Sequence, residues 1–292
     1  MTDNNAGRLH AVQLRREEAM EIARDQTGSD LDTRVFDIDG HQLRVAVREG
    51  TSDRPPLLLL NGLGVRIEGL QPFVDALSPA AGVIRFDVPG TGESSTPRLP
   101  YRMWQVARLT NHLLDALDAP VVDVLGVSWG GVLAQQLAFQ HRRRCRRLIL
   151  VSTAAGAFIP GRPQVVREML TRRRFDDPEH ARDVAPMIYG GKARTAGQAP
   201  PLFKHMRNDP RGLLFQQLAV LGWTSIPFAR MIRQPTLILS GDDDPILPPL
   251  NGKLLRSLIP NAHLHLFNDG HLGLLTSADE LAPLIESFLD QP

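Results

Sequence analysis

Residues 121–139 read VVDVLGVSWGGVLAQQLAF and contain the pattern G-x-S-x-G centred on Ser128. An apolar run typical of a buried strand, Val121–Leu125, precedes the pattern, and a run with helical character, Gly131–Phe139, follows it. In such a strand–turn–helix setting the glycines let the backbone turn sharply, and the serine hydroxyl is exposed above the sheet at the start of a helix. An ordinary glycine-rich turn is the alternative. The stretch therefore predicts a nucleophilic serine that needs partners elsewhere in the chain.

On either side of this stretch, apolar runs typical of strands alternate with runs of helical periodicity. Pro56–Leu60, PLLLL, is apolar throughout, as a parallel strand buried on both faces requires. Before it, Arg34–Asp39 and Gln42–Arg48 are joined by a D-G turn signal. This order indicates an α/β fold with a mostly parallel central sheet and helices on both faces. The other predicted strands are Val83–Val88, Arg147–Val151, Thr236–Leu239 and His263–Phe267, and the other helices are Met103–Leu117, Leu250–Leu258 and Ala278–Leu289.

The alternation fails between residues 154 and 233, where glycine and proline pairs separate short helical apolar patterns. We therefore predict a core formed by residues 33–153 and 234–292, interrupted by a helical cap insertion at 154–233. Residues 1–32 are interpreted as an N-terminal extension whose start is partly disordered.

Composition and charge exclude several classes of protein. The chain has 292 residues, of which 42% are hydrophobic and 22% charged, and its formal charge of +1 provides no basic field for binding nucleic acid. Cys145, the one cysteine, can form neither an internal disulfide nor a cysteine-based zinc site. The sequence shows no apolar signal segment and no run of 18 uncharged apolar residues, so we expect a cytoplasmic protein without a transmembrane segment.

A serine hydroxyl is a poor nucleophile unless a neighbouring base removes its proton. Of the nine histidines, His271 lies just after the predicted strand His263–Phe267, where a loop at the carboxyl edge of the sheet begins. His263 and His265 lie within that strand, and a metal site there is disfavoured because no third ligand is apparent. We predict His271 as the base.

The base needs a carboxylate that orients and charge-stabilises its imidazole. Three acids follow the strand Thr236–Leu239 in SGDDDPILP, residues 240–248. Asp244, which precedes a proline, is the predicted partner, and Asp242 and Asp243 are the alternatives.

An oxyanion hole needs two preorganised N–H donors. The amide of Trp129, directly after the serine, is one predicted donor, and the amide of Leu63, in the NGLG loop (61–64), is the other. The same loop is not a dinucleotide motif because position 67 is Ile rather than Gly. FDVPGTGESS (86–95) lacks the lysine of a phosphate-binding motif and is interpreted as a structural turn.

Residues 213–223, LLFQQLAVLGW, are apolar almost all round at helical spacing, so the segment should be buried. Two interpretations of it stay open. It packs within the cap and onto the core, or part of it lines an acyl pocket or touches an apolar surface. Trp223 is the candidate wall of such a pocket.

Extended strings, rather than one motif, carry a resemblance that covers roughly residues 33–289. GVSWGG and LGWTSI together are more specific than the serine pattern alone. On these strings the sequence resembles the intracellular depolymerases of medium-chain-length poly(3-hydroxyalkanoates), which are α/β-hydrolases. The strings are LNGLG (60–64), FDVPGTGESSTPRLPYR (86–102), GVSWGGVLAQQLA (126–138), TAAGAFIPGRP (153–163), IYGG (188–191), LGWTSI (221–226), GDDDPILP (241–248) and IPNAHLHLFNDGHL (259–272).

The resemblance implies a serine esterase in which Ser128, Asp244 and His271 form the catalytic triad, in the chain order described for α/β-hydrolases. It further implies hydrolysis of an apolar storage polyester without a metal or cofactor, and residence on intracellular granules. A carboxylesterase or lipase for small or medium-chain soluble esters is the alternative. Two features differ from common patterns. The extension 1–32 looks longer than the family's usual start, and position 61 is Asn where most α/β-hydrolases carry His, although this depolymerase group also carries Asn.

Overall fold

A computed structural model describes residues 31–156, 161, 163–171, 173, 177–195 and 209–291. Residues 1–30 of the predicted extension lie outside these ranges. The strands in these ranges are β1 Thr33–Ile38, β2 His41–Arg48, β3 Leu57–Leu60, β4 Val83–Phe86, β5 Val122–Val127, β6 Cys145–Val151, β7 Thr236–Gly241 and β8 Ala262–Phe267. These eight described strands form one sheet in the order β1-β2-β4-β3-β5-β6-β7-β8, in which β2 is antiparallel to β1 and β4 and all other neighbours are parallel.

Helices connect the parallel strands, and several of the described helices lie in the segment between β6 and β7. Short 3₁₀ turns at Ile67–Leu70 and Ala229–Met231 accompany them. None of the helices in the described ranges has the length and apolar composition needed to span a bilayer. The helices are α1 Gln71–Ala76, α2 Met103–Ala116, α3 Trp129–Gln140, α4 Pro163–Leu170, α5 Pro178–Tyr189, α6 Gly191–Thr195, α7 Pro210–Val220, α8 Leu250–Leu258, α9 Gly273–Thr276 and α10 Ala278–Leu289.

The sheet is buried on both faces, as its uninterrupted apolar strands predict. In β3, Leu58 and Leu60 belong to the core cluster that packs against α2, α3 and α8. Leu57 and Leu59 point to the opposite face and pack with α1 and α10. The mostly parallel sheet with helices on both faces therefore confirms the fold class inferred from the sequence.

Some helical elements differ from the sequence expectation. Helix α1 was not predicted, because only Phe73 and Val74 in its six residues are buried and so short a pattern has no clear periodicity. The apolar segment 213–223 is not one helix, since α7 ends at Val220 and Gly222 adopts a φ of 75°. Helices α8 and α10 have the predicted bounds.

Parallel strands β5 to β8 bring their carboxyl ends to one edge of the sheet. Backbone hydrogen bonds join these ends in sequence: Ser128 N–H to Val151 O at 2.9 Å, Ser152 N–H to Leu239 O at 2.9 Å, and Asp242 N–H to Phe267 O at 3.0 Å. The segments that follow β5, β7 and β8 carry the predicted nucleophile, acid and base, respectively.

Candidate active site

Ser128 lies in a strained turn between β5 and α3. Its φ of 53° and ψ of −114° are outside the regions that L-residues normally occupy. A residue held in such a conformation costs about 1–3 kcal/mol and persists only where the surroundings enforce it. The conformation is the sharp strand-to-helix turn that the sequence pattern predicts.

The two glycines of the pattern are required by close packing. A Cβ at Gly126 would lie 2.3 Å from the carbonyl oxygen of Gly130, and a Cβ at Gly130 would lie 2.1 Å from that of Leu60. Any larger residue would push α3 away from the sheet. Thr153, which sequence reasoning missed, fixes the turn further because its hydroxyl donates to the carbonyl of Ser128 at 2.7 Å.

Asp244 and His271 form a buried pair. His271 Nδ1 lies 2.8 Å from Asp244 Oδ2, and the two side chains are 7% and 0% exposed. The other oxygen, Oδ1, accepts from the amides of Ile246 and Leu247 at 2.9 Å each. A carboxylate oxygen accepts, so this contact favours the imidazole tautomer with its proton on Nδ1 and a lone pair on Nε2.

The structure distinguishes the three acids of the 242–244 turn. Asp242 is exposed, and Asp243 accepts from the amide of Gly191 at 2.8 Å and pairs with Arg194 at 3.0 Å. Only Asp244 of the three is bonded to His271. In the described part of the chain no group of three or more His, Cys, Asp or Glu side chains is placed to hold a metal ion.

The segment from Tyr189 to Lys192 holds the loops that carry Asp244 and His271. The amide of His271 donates to the carbonyl of Tyr189 at 2.7 Å, and the two rings stack with centroids 6.4 Å apart. The amide of Lys192 donates to Asp269 at 2.8 Å. The sequence carries the string IYGG here, but no motif in it predicts this role.

Asp269 is ionised in this setting. Burial alone would raise its pKa, but hydrogen bonds from Ser277, Thr276 and the amides of Lys192 and Gly270 outweigh burial and lower the pKa below its usual value. The carboxylate thus ties the base loop to both α6 and the start of α10.

Substitution of Gly191 should disturb this arrangement. A Cβ there would lie 2.0 Å from the amide nitrogen of Gly270 and 2.2 Å from Asp269 Oδ1. We expect Gly191→Ala to lower kcat on the order of 10²-fold, because a displacement of about 1 Å at a reacting group can have that effect. Steady-state kinetics on a soluble nitrophenyl ester would measure it.

Gly222→Ala is the matched control. Gly222 has a φ of 75° and Gly191 a φ of 48°, but a Cβ at Gly222 would meet nothing within 4 Å. The control therefore isolates backbone strain, which costs about 1–2 kcal/mol, and should keep its kcat. Equal losses of kcat in the two variants would assign the effect to strain.

The predicted oxyanion donors lie on either side of Ser128. Trp129 begins α3, so its amide has no hydrogen-bond acceptor within the helix. Gly62 in the NGLG loop lies close to Ser128, since a Cβ added at Gly62 would lie 3.7 Å from the Cβ of Ser128. Asn61 closes this loop by donating to the carbonyl of Arg66 at 2.9 Å. Within the part of the chain that the structure describes, the amides of Leu63 and Trp129 donate to no acceptor.

A buried ionic cluster lies behind the NGLG loop. Asp87 accepts from the amide of Ile67 at 2.9 Å, and Arg44 lies 3.7 Å from it while pairing with Glu68 at 2.6 Å. Burial raises the pKa of Asp87 to about 7, although Arg44 opposes the shift. Asp87 also holds the FDVPGTGESS turn, because its Oδ2 accepts from the amide of Glu93 at 3.4 Å and its carbonyl accepts from the hydroxyl of Ser94 at 2.6 Å.

The Trp223 ring contacts helix α3 and another aromatic side chain. Its Nε1 donates to Gln136 Oε1 at 2.8 Å, and the ring meets Phe228 edge to face with centroids 6.0 Å apart. Phe228 in turn stacks on Phe139 at 4.3 Å. These contacts favour the packing interpretation of Trp223, and its role as a pocket wall stays a prediction.

Trp223→Ala separates the two interpretations. Fully buried Trp→Ala changes cost about 3–5 kcal/mol, so this half-buried ring should contribute roughly 2 kcal/mol, which lowers Tm by about 4–8 °C. We expect turnover of octanoyl and acetyl esters to change by the same factor. A selective loss of octanoyl turnover at unchanged Tm would instead assign Trp223 to an acyl pocket.

Comparison with known proteins agrees with this architecture. The family model of the alpha/beta hydrolase fold matches residues 55–278. The chain belongs to the alpha/beta hydrolase family. This α/β-hydrolase is 48% identical over 264 residues to a poly(3-hydroxyalkanoate) depolymerase from Ectopseudomonas oleovorans, an alignment that covers 88% of this chain and 92% of the relative. The resemblance inferred from the sequence is thereby confirmed.

More distant relatives act on other substrates. A 3-oxoadipate enol-lactonase 2 from Acinetobacter baylyi is 27% identical over 82% of this α/β-hydrolase and 90% of the relative. Among solved structures, the enol-lactonase from Burkholderia xenovorans LB400 superposes with a TM-score of 0.76 at 25% identity, covering 88% of this chain and 100% of that one. The scaffold is therefore shared by enzymes whose names indicate different substrates.

Proposed function

We propose that this α/β-hydrolase cleaves the ester bonds of a medium-chain-length poly(3-hydroxyalkanoate) through an acyl-enzyme and releases 3-hydroxyacids or oligomers. One observation carries the chemistry: a buried, hydrogen-bonded Asp244–His271 pair lies at the sheet edge where Ser128 is held at a φ of 53°. Nucleophile, base and orienting acid are the three groups that acyl transfer by a serine requires.

The reaction begins with addition of Ser128 Oγ to the ester carbonyl. The proton of the hydroxyl passes to His271 Nε2, whose lone pair is available because Nδ1–H donates to Asp244. Asp244 stabilises the imidazolium that forms, without taking a proton itself.

The tetrahedral intermediate carries its negative charge on the former carbonyl oxygen. The amides of Leu63 and Trp129 donate to that oxygen, and such preorganised donors stabilise the charge more effectively than water does. Collapse expels the alcohol oxygen of the next polymer unit, which takes the proton from His271. A water molecule then repeats the sequence on the acyl-enzyme, with His271 again as base, and regenerates Ser128. The protein groups account for every proton transfer, so the mechanism requires no metal or cofactor.

The proposed substrate class rests on the similarity to the depolymerase and not on the triad, because enzymes with the same triad hydrolyse many different esters. The 48% identity to a poly(3-hydroxyalkanoate) depolymerase extends over 88% of the chain, so it includes regions well beyond the active-site motifs. Alkyl side chains of such a polymer offer apolar surface, and each methylene buried contributes about 0.8 kcal/mol to binding. The proposal places the enzyme in the cytoplasm, associated with polyester granules.

Clearing of polymer latex tests the proposal. The enzyme should clear a medium-chain polyester latex faster than a short-chain one, and Ser128→Ala should clear neither. Soluble nitrophenyl esters serve as parallel substrates. Turnover of these esters without latex clearing would contradict the polymer substrate and favour a carboxylesterase or lipase. Sedimentation with isolated granules, and its absence with a protein-coated control bead, tests the granule association.

A further inference from the structure

Gln216 joins the cap to the loop that carries one predicted oxyanion donor. The residue lies on α7 and is fully buried. Its side-chain Oε1 accepts from the amide of Gly64 at 3.0 Å, and its Nε2 donates to the hydroxyl of Thr91. The orientation of the side-chain amide is fixed by chemistry, because the Gly64 N–H can only donate and must face the oxygen. Gly64 directly follows Leu63.

Gln216 also contacts the side chain of Trp129, whose backbone amide is the other predicted donor. Its backbone carbonyl accepts from the indole Nε1 of Trp129 at 2.9 Å. A single residue of the cap therefore holds both segments that supply N–H groups to the oxyanion. No signal in the sequence indicates this role, since Gln216 reads there as one of two polar interruptions in an apolar helix.

Helix α7 is fixed against the core near Gln216. A Cβ at Gly212 would lie 1.9 Å from the carbonyl oxygen of Gly90, so the two backbones touch. Arg211 donates to the carbonyl of Pro97 at 3.2 Å, and Asp209 caps the helix by accepting from the amide of Arg211 at 2.8 Å. Gln216 is thus presented to the NGLG loop by a helix whose own position is determined.

We propose that Gln216 is a positioning residue that sets the Leu63 amide relative to the Trp129 amide, so that the cap completes the oxyanion hole. The inference rests on the proposed serine-hydrolase function. Holding the Gly64 amide fixes the peptide plane that follows Leu63, and this restricts the backbone rotations that would turn the Leu63 N–H. Oxyanion stabilisation depends on donors being in place before the charge develops.

Gln216→Leu tests the side chain alone, because the backbone bond to Trp129 remains. Complete loss of one oxyanion donor costs about 10²–10³-fold in kcat, and a displaced donor should cost less, on the order of 10–10²-fold. We expect the acylation rate constant to fall by that factor. Affinity for a trifluoromethyl ketone should fall in parallel, since addition of Ser128 Oγ, with its proton passed to His271, creates an oxyanion at the same place. Gln217→Leu, at the neighbouring half-buried glutamine, should leave both unchanged.

Active-site titration with a fluorophosphonate counts the folded enzyme, so partial unfolding cannot mimic the effect. Thr91→Val is a second variant, which removes the partner of Nε2 but leaves Gln216 intact. It should lower the same two quantities, and the double variant should be no worse than Gln216→Leu. Wild-type acylation and ketone affinity in Gln216→Leu would overturn the inference. Turnover retained by Ser128→Ala would instead overturn the proposed function.

Discussion

Ser128→Ala should abolish ester turnover while leaving the fold intact. Removal of the nucleophile in a serine hydrolase costs on the order of 10⁴–10⁶-fold in kcat, because the oxyanion donors and substrate binding alone remain. Alanine fits the position sterically, although it keeps the strained φ of 53° that the flanking backbone bonds enforce. Hydrolysis of a nitrophenyl ester and covalent labelling by a fluorophosphonate measure the loss, and circular dichroism and Tm verify the fold.

Ser152→Ala is the matched control for this prediction. Ser152 also follows a strand of the sheet and also has a positive φ, 44°, but it is buried at the end of β6. We expect this variant to keep most of its turnover and all of its labelling. Labelling that persists in Ser128→Ala and disappears in Ser152→Ala would show that the nucleophile is Ser152, at the end of β6, and not Ser128.

The central part of the fold could be predicted because its signals are local. Uninterrupted apolar runs such as Leu57–Leu60 identify strands buried on both faces, and helical periodicity identifies α8 and α10. Glycines at 126 and 130 identify the turn because no Cβ fits at either position. Since parallel strands end at one edge of the sheet, the position of a polar residue just after a strand also predicts its place in the site.

The contacts of the segment between β6 and β7 could not be predicted because they join residues far apart in the chain. Gln216 meets Gly64 across 152 residues, and Lys192 meets Asp269 across 77. A buried glutamine and an exposed one look alike in a sequence. Trp223 shows the same limit, since an apolar ring can line a pocket or pack on a helix, and only the tertiary contacts distinguish the two.

Asp244→Asn should fold normally and lose roughly 10⁴-fold in turnover, as expected when the imidazole is held in the wrong tautomer. The hydrogen bonds of this site determine that outcome. Oδ1 accepts from the amides of Ile246 and Leu247, so the carbonyl oxygen of an asparagine must take that position. The side-chain NH₂ then faces His271 Nδ1, which has to accept. The proton moves to Nε2, and the imidazole can no longer remove a proton from Ser128.

Its neighbours in the same turn provide graded controls. Asp242→Asn alters an exposed side chain and should leave kcat nearly unchanged. Asp243→Asn weakens the contacts with Gly191 and Arg194, so it should reduce kcat moderately, through the position of α6 rather than through the imidazole tautomer. The ¹⁵N chemical shifts of His271 report the tautomer directly and should change only in Asp244→Asn. If Asp242→Asn lowered kcat the most of the three, Asp244 could not be the acid that orients His271. The exposed carboxylate of Asp242 would then have the effect on kcat that we expect from the buried carboxylate of Asp244, which is hydrogen-bonded to His271.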